Sequence, residues 1–189
     1  MRDAGLTIHA VHGRAALEDA LVADGPDPEH ADALMLFGRL VGEWEFDWAG
    51  YDEDGAETMS ERGEWIFAWV LEGRGVQDVW IIPARERRGD PDLPRGEYGT
   101  TIRFYDPKLD AWQVTWHGPV QGVRRLFLGR AIGDEIVQEG QTEEGYPMRW
   151  IFSEITDTSF RWRSVYSRDE EQTWQLREEM HVRRAAEAE

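Results

Sequence analysis

The sequence has 189 residues with 38 Asp and Glu against 21 Lys and Arg, and its formal net charge at pH 7 is −17. A chain of this length forms one domain that buries roughly 70% of the surface exposed by the unfolded chain. The acidic balance repels phosphate backbones and anionic lipids, so we expect neither a nucleic-acid nor a membrane partner. The absence of cysteine excludes disulfides, thiolate nucleophiles and thiolate metal sites.

The composition indicates a well-packed protein that does not enter a membrane. Hydrophobic residues make up 41% of the chain, and ten of the 189 residues are Trp, which supplies a large aromatic core. No apolar run approaches the roughly 18 residues that a membrane-spanning helix needs. The first 19 residues also lack the continuous apolar segment of a secretory signal. We therefore predict a cytoplasmic protein.

Residues 1–31 differ from the rest of the chain and form a predicted N-terminal extension. Ala and Leu residues between positions 15 and 21 favour a short amphipathic helix. The segment Gly25-Pro26-Asp27-Pro28 would end this helix, because two prolines cannot continue it. The extension is either loosely docked or acts as a lid or a dimer arm.

The stretch from Leu34 to Trp48 changes from helical to strand periodicity. Its first half places apolar residues on one side of a short helix, which ends at Gly42. Its second half alternates aromatic with acidic residues, as on a strand with one buried face. Trp44, Phe46 and Trp48 would point inward. The stretch predicts a helix that closes one end of a barrel, followed by the first barrel strand.

The period-two pattern recurs between turn signals after Trp48 and predicts nine further strands. Their predicted bounds are 57–71, 76–82, 98–105, 111–117, 123–132, 135–142, 147–155, 159–166 and 173–184. Consecutive hairpins bury their edges most simply by closing into a barrel. We therefore predict an all-β fold, a closed up-and-down antiparallel barrel of about ten strands over residues 32–184. A long loop at 84–97 and a tail at 185–189 accompany it, and a central cavity is expected.

Two features resemble the lipocalin-like, or calycin, superfamily. They are Gly42-Glu43-Trp44, which follows a short helix and opens the first strand, and the basic residue at the end of the last strand, Arg183 or Arg184. The resemblance implies that this Arg stacks over Trp44 and seals the barrel floor. A guanidinium over an indole contributes about 0.5 to 2 kcal/mol, depending on burial.

Further motifs resemble an uncharacterised bacterial family of such barrels. These motifs are Tyr105-Asp106-Pro107, Arg149-Trp150-x-Phe152-Ser153, Phe160-Arg161-Trp162-Arg163 and Thr173-Trp174. The resemblance covers about residues 33–184. It implies a lipocalin-like fold and supplies no catalytic residues.

Strand alternation predicts which carboxylates face the inside of the barrel. On the last strand, Trp174 and Leu176 share the parity of Glu178, which places Glu178 on the inner face. Asp78 has the same parity as Trp80 on the third strand. A buried carboxylate needs a partner. Each carboxylate is therefore either paired with an inward Arg or is a ligand anchor or acid-base group with a raised pKa.

Arginines and tryptophans inside the predicted strands indicate an amphipathic pocket for a planar or acidic ligand. Trp150 is one of these tryptophans. The predicted ligand-binding residues are Asp78, Trp80, Arg103, Trp116, His117, Arg149, Trp162 and Glu178. For any single Trp, packing in the core is the favoured alternative.

The histidines provide no metal or cofactor pattern. His117 would lie at the barrel rim beside Gly118 and titrate near neutral pH, and His181 is expected to face outward. Related barrels bind haem through a single His, but no haem-specific pattern supports this here. The chain also lacks the phosphate-loop, zinc-protease, nucleophile-elbow and EF-hand motifs. We expect no cofactor and no metal.

Three functions remain open from the sequence. The first is a small-molecule binding protein that holds an apolar or aromatic ligand with a polar end in an open aromatic lumen. The second is a cofactor-independent enzyme, an isomerase, cyclase or hydrolase, with His117, Asp78 or Glu178 as acid or base. The third is a structural or dimerising protein with a filled barrel. Apolar residues on both faces of strand 57–71 favour a homodimer.

Overall fold

A computed structural model describes residues 4–93 and 96–186, and the side chains from residue 13 onward. The predicted tail at 185–189 therefore lies mostly outside the described residues. The same holds for positions 94 and 95 of the predicted loop at 84–97.

The structure confirms the closed antiparallel barrel with a short helix before it. Two α-helices and one short strand come first: α1 (Ala4–Leu21), β1 (Val22–Ala23) and α2 (Ala31–Gly38). The barrel strands are β2 (Gly42–Tyr51), β3 (Glu57–Val70), β4 (Gly75–Ile82), β5 (Glu97–Asp106), β6 (Ala111–Gly118), β7 (Val123–Ile132), β8 (Glu135–Gln141), β9 (Pro147–Ser153), β10 (Ser159–Tyr166) and β11 (Gln175–Arg184). Each pairs with the next along the chain, and β11 pairs with β2 to close the ring. The extra strand, β1, pairs with the end of β3.

Helix α2 closes the end of the barrel at which β2 begins. Leu34 and Phe37 on its apolar side are 2% and 0% exposed. Leu40, which follows the helix, is also 0% exposed. The Phe37 ring packs edge-to-face on Trp112 at 4.9 Å between ring centroids. The segment from Leu34 onward, whose periodicity predicted a helix, thus forms a plug whose side chains enter the barrel.

Trp44 and Arg184 seal the same end. The guanidinium carbon of Arg184 lies 3.8 Å from the Trp44 ring centroid, and Arg184 Nη1 donates to the Val41 carbonyl at 2.8 Å. Trp44 Nε1 donates to the Leu40 carbonyl at 2.7 Å. The predicted stacking is confirmed and assigned to Arg184, because Arg183 instead pairs with Asp47 on the outer face.

Inward glycines make room for the large rings inside the barrel. Gly63 is paired with Phe46, and a Cβ at Gly63 would overlap the Phe46 ring. A Cβ at Gly99 would overlap the ring of Trp116 in the same way. Substituting either glycine would therefore displace an aromatic side chain from the inner wall.

The prediction that Trp174 and Leu176 face inward is wrong. The β10–β11 register shifts between Ser164 and Val165, so that Arg177 is an extra residue in β11. Such a bulge reverses the alternation on one side of it. Trp174 and Leu176 therefore pack on the outer wall, whereas Glu178 keeps its predicted inward parity. The outer cluster that receives them consists of Val137, Ile151 and Val165.

The N-terminal extension forms a longer helix than expected. In α1, residues 13–20 are all exposed, and the roles of lid or dimer arm stay predictions. None of the helices in the described part of the chain is both long and apolar enough to span a bilayer. On the outer face of β3, Ile66 and Ala68 are partly exposed, so the surface behind the homodimer prediction is accessible.

We predict that Arg184→Ala lowers the free energy of unfolding by about 1 to 2 kcal/mol, because it removes the stacking on Trp44 and the bond to Val41. The matched control is Arg183→Ala, which breaks an exposed ion pair and should cost less than about 1 kcal/mol. Urea unfolding followed by Trp fluorescence measures both. Equal losses in the two variants would contradict a sealing role for Arg184.

Candidate functional site

The inner surface of the barrel is buried at the α2 end and accessible at the other end. Cross-strand pairing shows which residues share the inner face, because directly opposed residues point to the same side. Around α2 the inner rings are buried: Phe37, Trp44, Phe46, Trp65, Phe67, Trp69, Trp112, Phe152 and Phe160. Toward the other end the inward indoles are partly exposed. We call this second region the mouth, lined by Trp48, Trp80, Trp116, Trp150, Arg125 and Glu178.

The indoles of the mouth form a continuous aromatic wall. The Trp116 ring packs nearly perpendicular to Trp80 at 5.9 Å and to Trp150 at 6.1 Å between centroids. Trp150 in turn contacts Trp162 at 5.5 Å. Because neighbouring rings are nearly perpendicular, the wall offers both ring faces and ring edges to a bound molecule.

Trp162 and Met180 form the floor of the mouth. They are paired between β10 and β11 and are 4% and 1% exposed. Trp80 Nε1 donates to Met180 Sδ at 3.3 Å, which links β4 to β11 inside the barrel. Phe46 stacks below on Trp80, 5.5 Å away with an angle of 4° between the rings. The accessible space thus ends on a packed aromatic layer.

Glu178 carries a carboxylate on the inner face of the mouth. It is paired with Gly50 of β2 and Ser164 of β10, and its side chain is 32% exposed. The nearest donors are Trp48 Nε1 at 3.4 Å and Arg177 Nε at 3.8 Å. Burial within the wall raises the pKa of Glu178, and Arg177, Trp48 and Arg125 oppose this shift.

Arg125 is the inward cation of the mouth, and sequence reasoning did not name it. It is paired with Trp116 on β6, and its side chain is 13% exposed. The nearest carboxylate among the described residues is Glu143, which lies 3.8 Å away and is itself 69% exposed. The arginines predicted for the site were Arg103 and Arg149. The parity of the buried Phe127, two residues along β7, was the available signal that Arg125 points inward.

Asp78 and Arg103 face inward as well, but they bind each other in the filled part of the barrel. Arg103 Nη1 lies 2.6 Å from Asp78 Oδ2, and both side chains are 0% exposed. Asp78 also accepts from the Thr101 amide at 3.1 Å, and Arg103 Nε donates to Gln138 Oε1 at 3.2 Å. The guanidinium lies over the Phe37 ring at 5.0 Å. In this conformation neither residue has surface that a ligand could contact.

Two other predicted site residues lie on the outer wall. His117 is exposed and is paired with Thr100 and Arg124, outside the aromatic lumen. Arg149 bonds Glu139 and Glu171 and covers the Trp174 ring at 4.2 Å. His181 also faces outward, with a side chain 66% exposed, as expected.

The eight predicted site residues are therefore brought together only in part. Trp80, Trp116 and Glu178 line the mouth, and Trp162 forms its floor. The acid-base candidates do not converge, since Asp78 is deep in the filled part and His117 is outside. Within the described ranges, no group of three or more His, Asp or Glu side chains is arranged to hold a metal ion.

Two recesses lie at the surface of the barrel. A recess of about 440 Å³ lies among the hairpin loops at the mouth end, lined in part by Tyr51, Tyr146, Tyr166 and Arg168. A groove of about 1020 Å³ runs between the outer side of β2 and β3 and the loop after β4. Charged residues of both signs line this groove. The groove includes Trp48 of the mouth, but neither recess includes Trp80, Trp116 or Trp150.

Comparisons with known proteins assign no family. No family model matches this sequence, and no curated protein matches it. Among solved structures, one described as "Structure of EF1p2_mFAP2b bound to DFHBI" is similar, with a TM-score of 0.30 and 15% sequence identity. The similarity covers 78% of this chain and 94% of that chain. A TM-score this low supports no inference about the ligand of this chain.

Removing one member of the buried ion pair should be strongly destabilising. We expect Arg103→Met to lower the free energy of unfolding by about 3 to 5 kcal/mol, since it leaves Asp78 buried without its counter-charge. The double variant Asp78→Leu with Arg103→Met should lose less than the sum of the single variants. The control, Arg168→Met, breaks an exposed pair with Glu53 and should cost less than about 1 kcal/mol. A loss below 1 kcal/mol for Arg103→Met in urea unfolding would refute this role.

Glu178 should make stability depend on pH with a defined sign. Its folded-state pKa is raised, so the folded protein holds this proton more tightly than the unfolded chain, and its contribution to stability falls as pH rises through the titration range. Glu178→Gln should therefore melt at a higher temperature than the wild type at pH 7. The difference should vanish below the ordinary glutamate pKa. Melting temperatures measured across this range test the prediction, and a difference that grows toward acid pH would contradict it.

Proposed function

We propose that this protein binds a small apolar or aromatic molecule with a polar end in the mouth of the barrel. The supporting observation is that Trp48, Trp80, Trp116 and Trp150 point inward and yet keep accessible surface. Concave sites lined by aromatic rings with a few polar groups are the usual form of small-molecule sites. The ligand would stack on the indoles and place its polar end near Glu178 or Arg125.

The packed floor supports this function. Trp162 and Met180 are almost fully buried, and Phe46 stacks beneath Trp80, so a ligand would meet a preformed surface. Binding to such a surface requires less ordering of side chains, which leaves more of the interaction free energy as affinity. A barrel filled along its whole length, as the structural alternative requires, would leave no accessible indoles in the mouth.

The enzyme alternative rests on Glu178 alone. A carboxyl group with a raised pKa inside an accessible mouth suits proton transfer. Its two predicted helpers do not reach it, since His117 lies on the outer wall and Asp78 is paired with Arg103. We therefore place ligand binding before catalysis.

We also infer that the chain is a lipocalin-like barrel. The helix, the Gly42-Glu43-Trp44 motif and the stacking of Arg184 on Trp44 support this assignment. The homodimer through the outer face of β3 and the cytoplasmic location stay proposals. Sedimentation equilibrium of the full chain would decide the oligomeric state, and a monomer at micromolar concentration would remove the dimer.

A fluorescence screen tests the proposed site. We expect an aromatic compound from a metabolite library to quench or shift Trp emission. We further expect Trp116→Leu to weaken binding of that compound by about tenfold. The reason is that the variant loses a stacking interaction of about 1 kcal/mol or more. The matched control is Trp174→Leu, since Trp174 packs on the outer wall under Arg149.

Two results would contradict the proposal. One is a library in which no compound changes the emission of the wild type. The other is a ligand whose affinity falls in Trp174→Leu and not in Trp116→Leu, because its site would then lie outside the barrel.

A further inference from the structure

The mouth carries opposite charges on nearly opposite sides. Glu178 belongs to β11 and Arg125 to β7. In the ring of ten strands, three strands separate them on one side, β8 to β10, and five on the other, β2 to β6. Both side chains point inward, as their pairing with Gly50 and Trp116 indicates. A molecule bound in the mouth therefore lies between a carboxylate and a guanidinium.

Neither charge has a close ionic partner among the described residues. Glu178 has Arg177 at 3.8 Å, and Arg125 has Glu143 at 3.8 Å, and both of these partners are substantially exposed. Among the described residues, neither forms another ion pair within 4.0 Å. The Asp78–Arg103 pair deeper in the same barrel closes at 2.6 Å. The deep charges neutralise each other in direct contact, whereas those of the mouth retain capacity for a ligand.

The surface between the two charges is aromatic. Trp150 of β9 lies on the shorter arc between them, and Trp48, Trp80 and Trp116 lie on the longer arc. Indole faces accept flat rings by stacking and also attract ammonium groups. A fully anionic ligand would approach against the net charge of −17, while a ligand with its own cationic group would not.

We propose that the ligand is a planar aromatic zwitterion, with its ammonium group at Glu178 and its carboxylate at Arg125. This inference rests on the proposed binding function and specifies the ligand class. The planar fork of Arg125 matches a carboxylate, and the Glu178 carboxylate accepts from an ammonium group. The ring between the two groups stacks on the wall of indoles.

A matched series of probes tests the charge pattern. The zwitterion is 4-(aminomethyl)benzoate, and its partners are 4-methylbenzylamine, 4-methylbenzoate and the neutral 4-methylbenzyl alcohol. A biphenyl series with the same end groups covers a longer span. Isothermal titration calorimetry at pH 7 should show one zwitterion binding at least about tenfold more tightly than each singly charged partner, as one charge-assisted hydrogen bond implies.

Variants assign each end of the probe. Glu178→Gln should lose about tenfold in affinity for the zwitterion and the amine but keep the affinity for the benzoate. Arg125→Gln should lose about tenfold in affinity for the zwitterion and the benzoate but keep the affinity for the amine. Arg124→Gln is the control, because the neighbouring Arg124 is exposed on the outer wall. The retained affinity for one singly charged probe in each variant reports that the variant is folded.

The outcomes separate this inference from the proposed function. If the alcohols bind as tightly as the zwitterions and the variants change nothing, the mouth binds aromatic molecules and the charge pattern is overturned. The inference also fails if neither zwitterion binds more tightly than its singly charged partners, including the case in which neither zwitterion binds at all. The proposed function itself is contradicted by either of the two results given for the fluorescence screen: no ligand at all, or a ligand whose affinity falls in Trp174→Leu and not in Trp116→Leu.

Discussion

The pairing of β2 with β11 is the constraint on which the rest of this structure depends. It joins strands more than a hundred residues apart and so closes the ring. It places Arg184 over Trp44, which seals the end that α2 plugs. At the other end it puts Glu178 beside Trp48, on the inner wall of the mouth. One backbone ladder therefore determines both the sealed base and the composition of the accessible end, and an open sheet would have neither.

Two sets of inward charges differ in how they are paired. Asp78 and Arg103 are fully buried, where an unpaired charge would be costly, and they are in direct contact. Glu178 and Arg125 sit where solvent still enters, and each has only a distant and exposed partner. Water reduces the cost of leaving a charge unpaired, so the mouth can keep two charges free. Of these two sets of charges, only the one at the mouth has side-chain surface that solvent or a ligand can reach.

The division of the lumen into a filled and an accessible part bears on the choice between the alternative functions. A barrel packed throughout would be a structural protein, and a barrel open throughout would have no rigid base. Here the plug of α2 and the aromatic layers above it fill one part, ending at Trp162 and Met180. The inner surface that remains accessible lies above this buried base. The proposed site would therefore suit a flat molecule of modest size better than a long lipid chain.

Much of the fold could be predicted from the sequence, because period-two alternation and turn residues are local signals. They located ten barrel strands, the plug before Gly42 and the inward parity of Glu178. A bulge at Arg177 reversed the parity of Trp174 and Leu176, and alternation contains no signal for an inserted residue. Alternation also assigns a residue to a face without assigning its height along the barrel or its neighbours across the ring. For this reason only the tertiary structure decided that Arg103 meets Asp78 in the filled part, that Arg125 shares the mouth with Glu178, and that His117 and Arg149 lie outside.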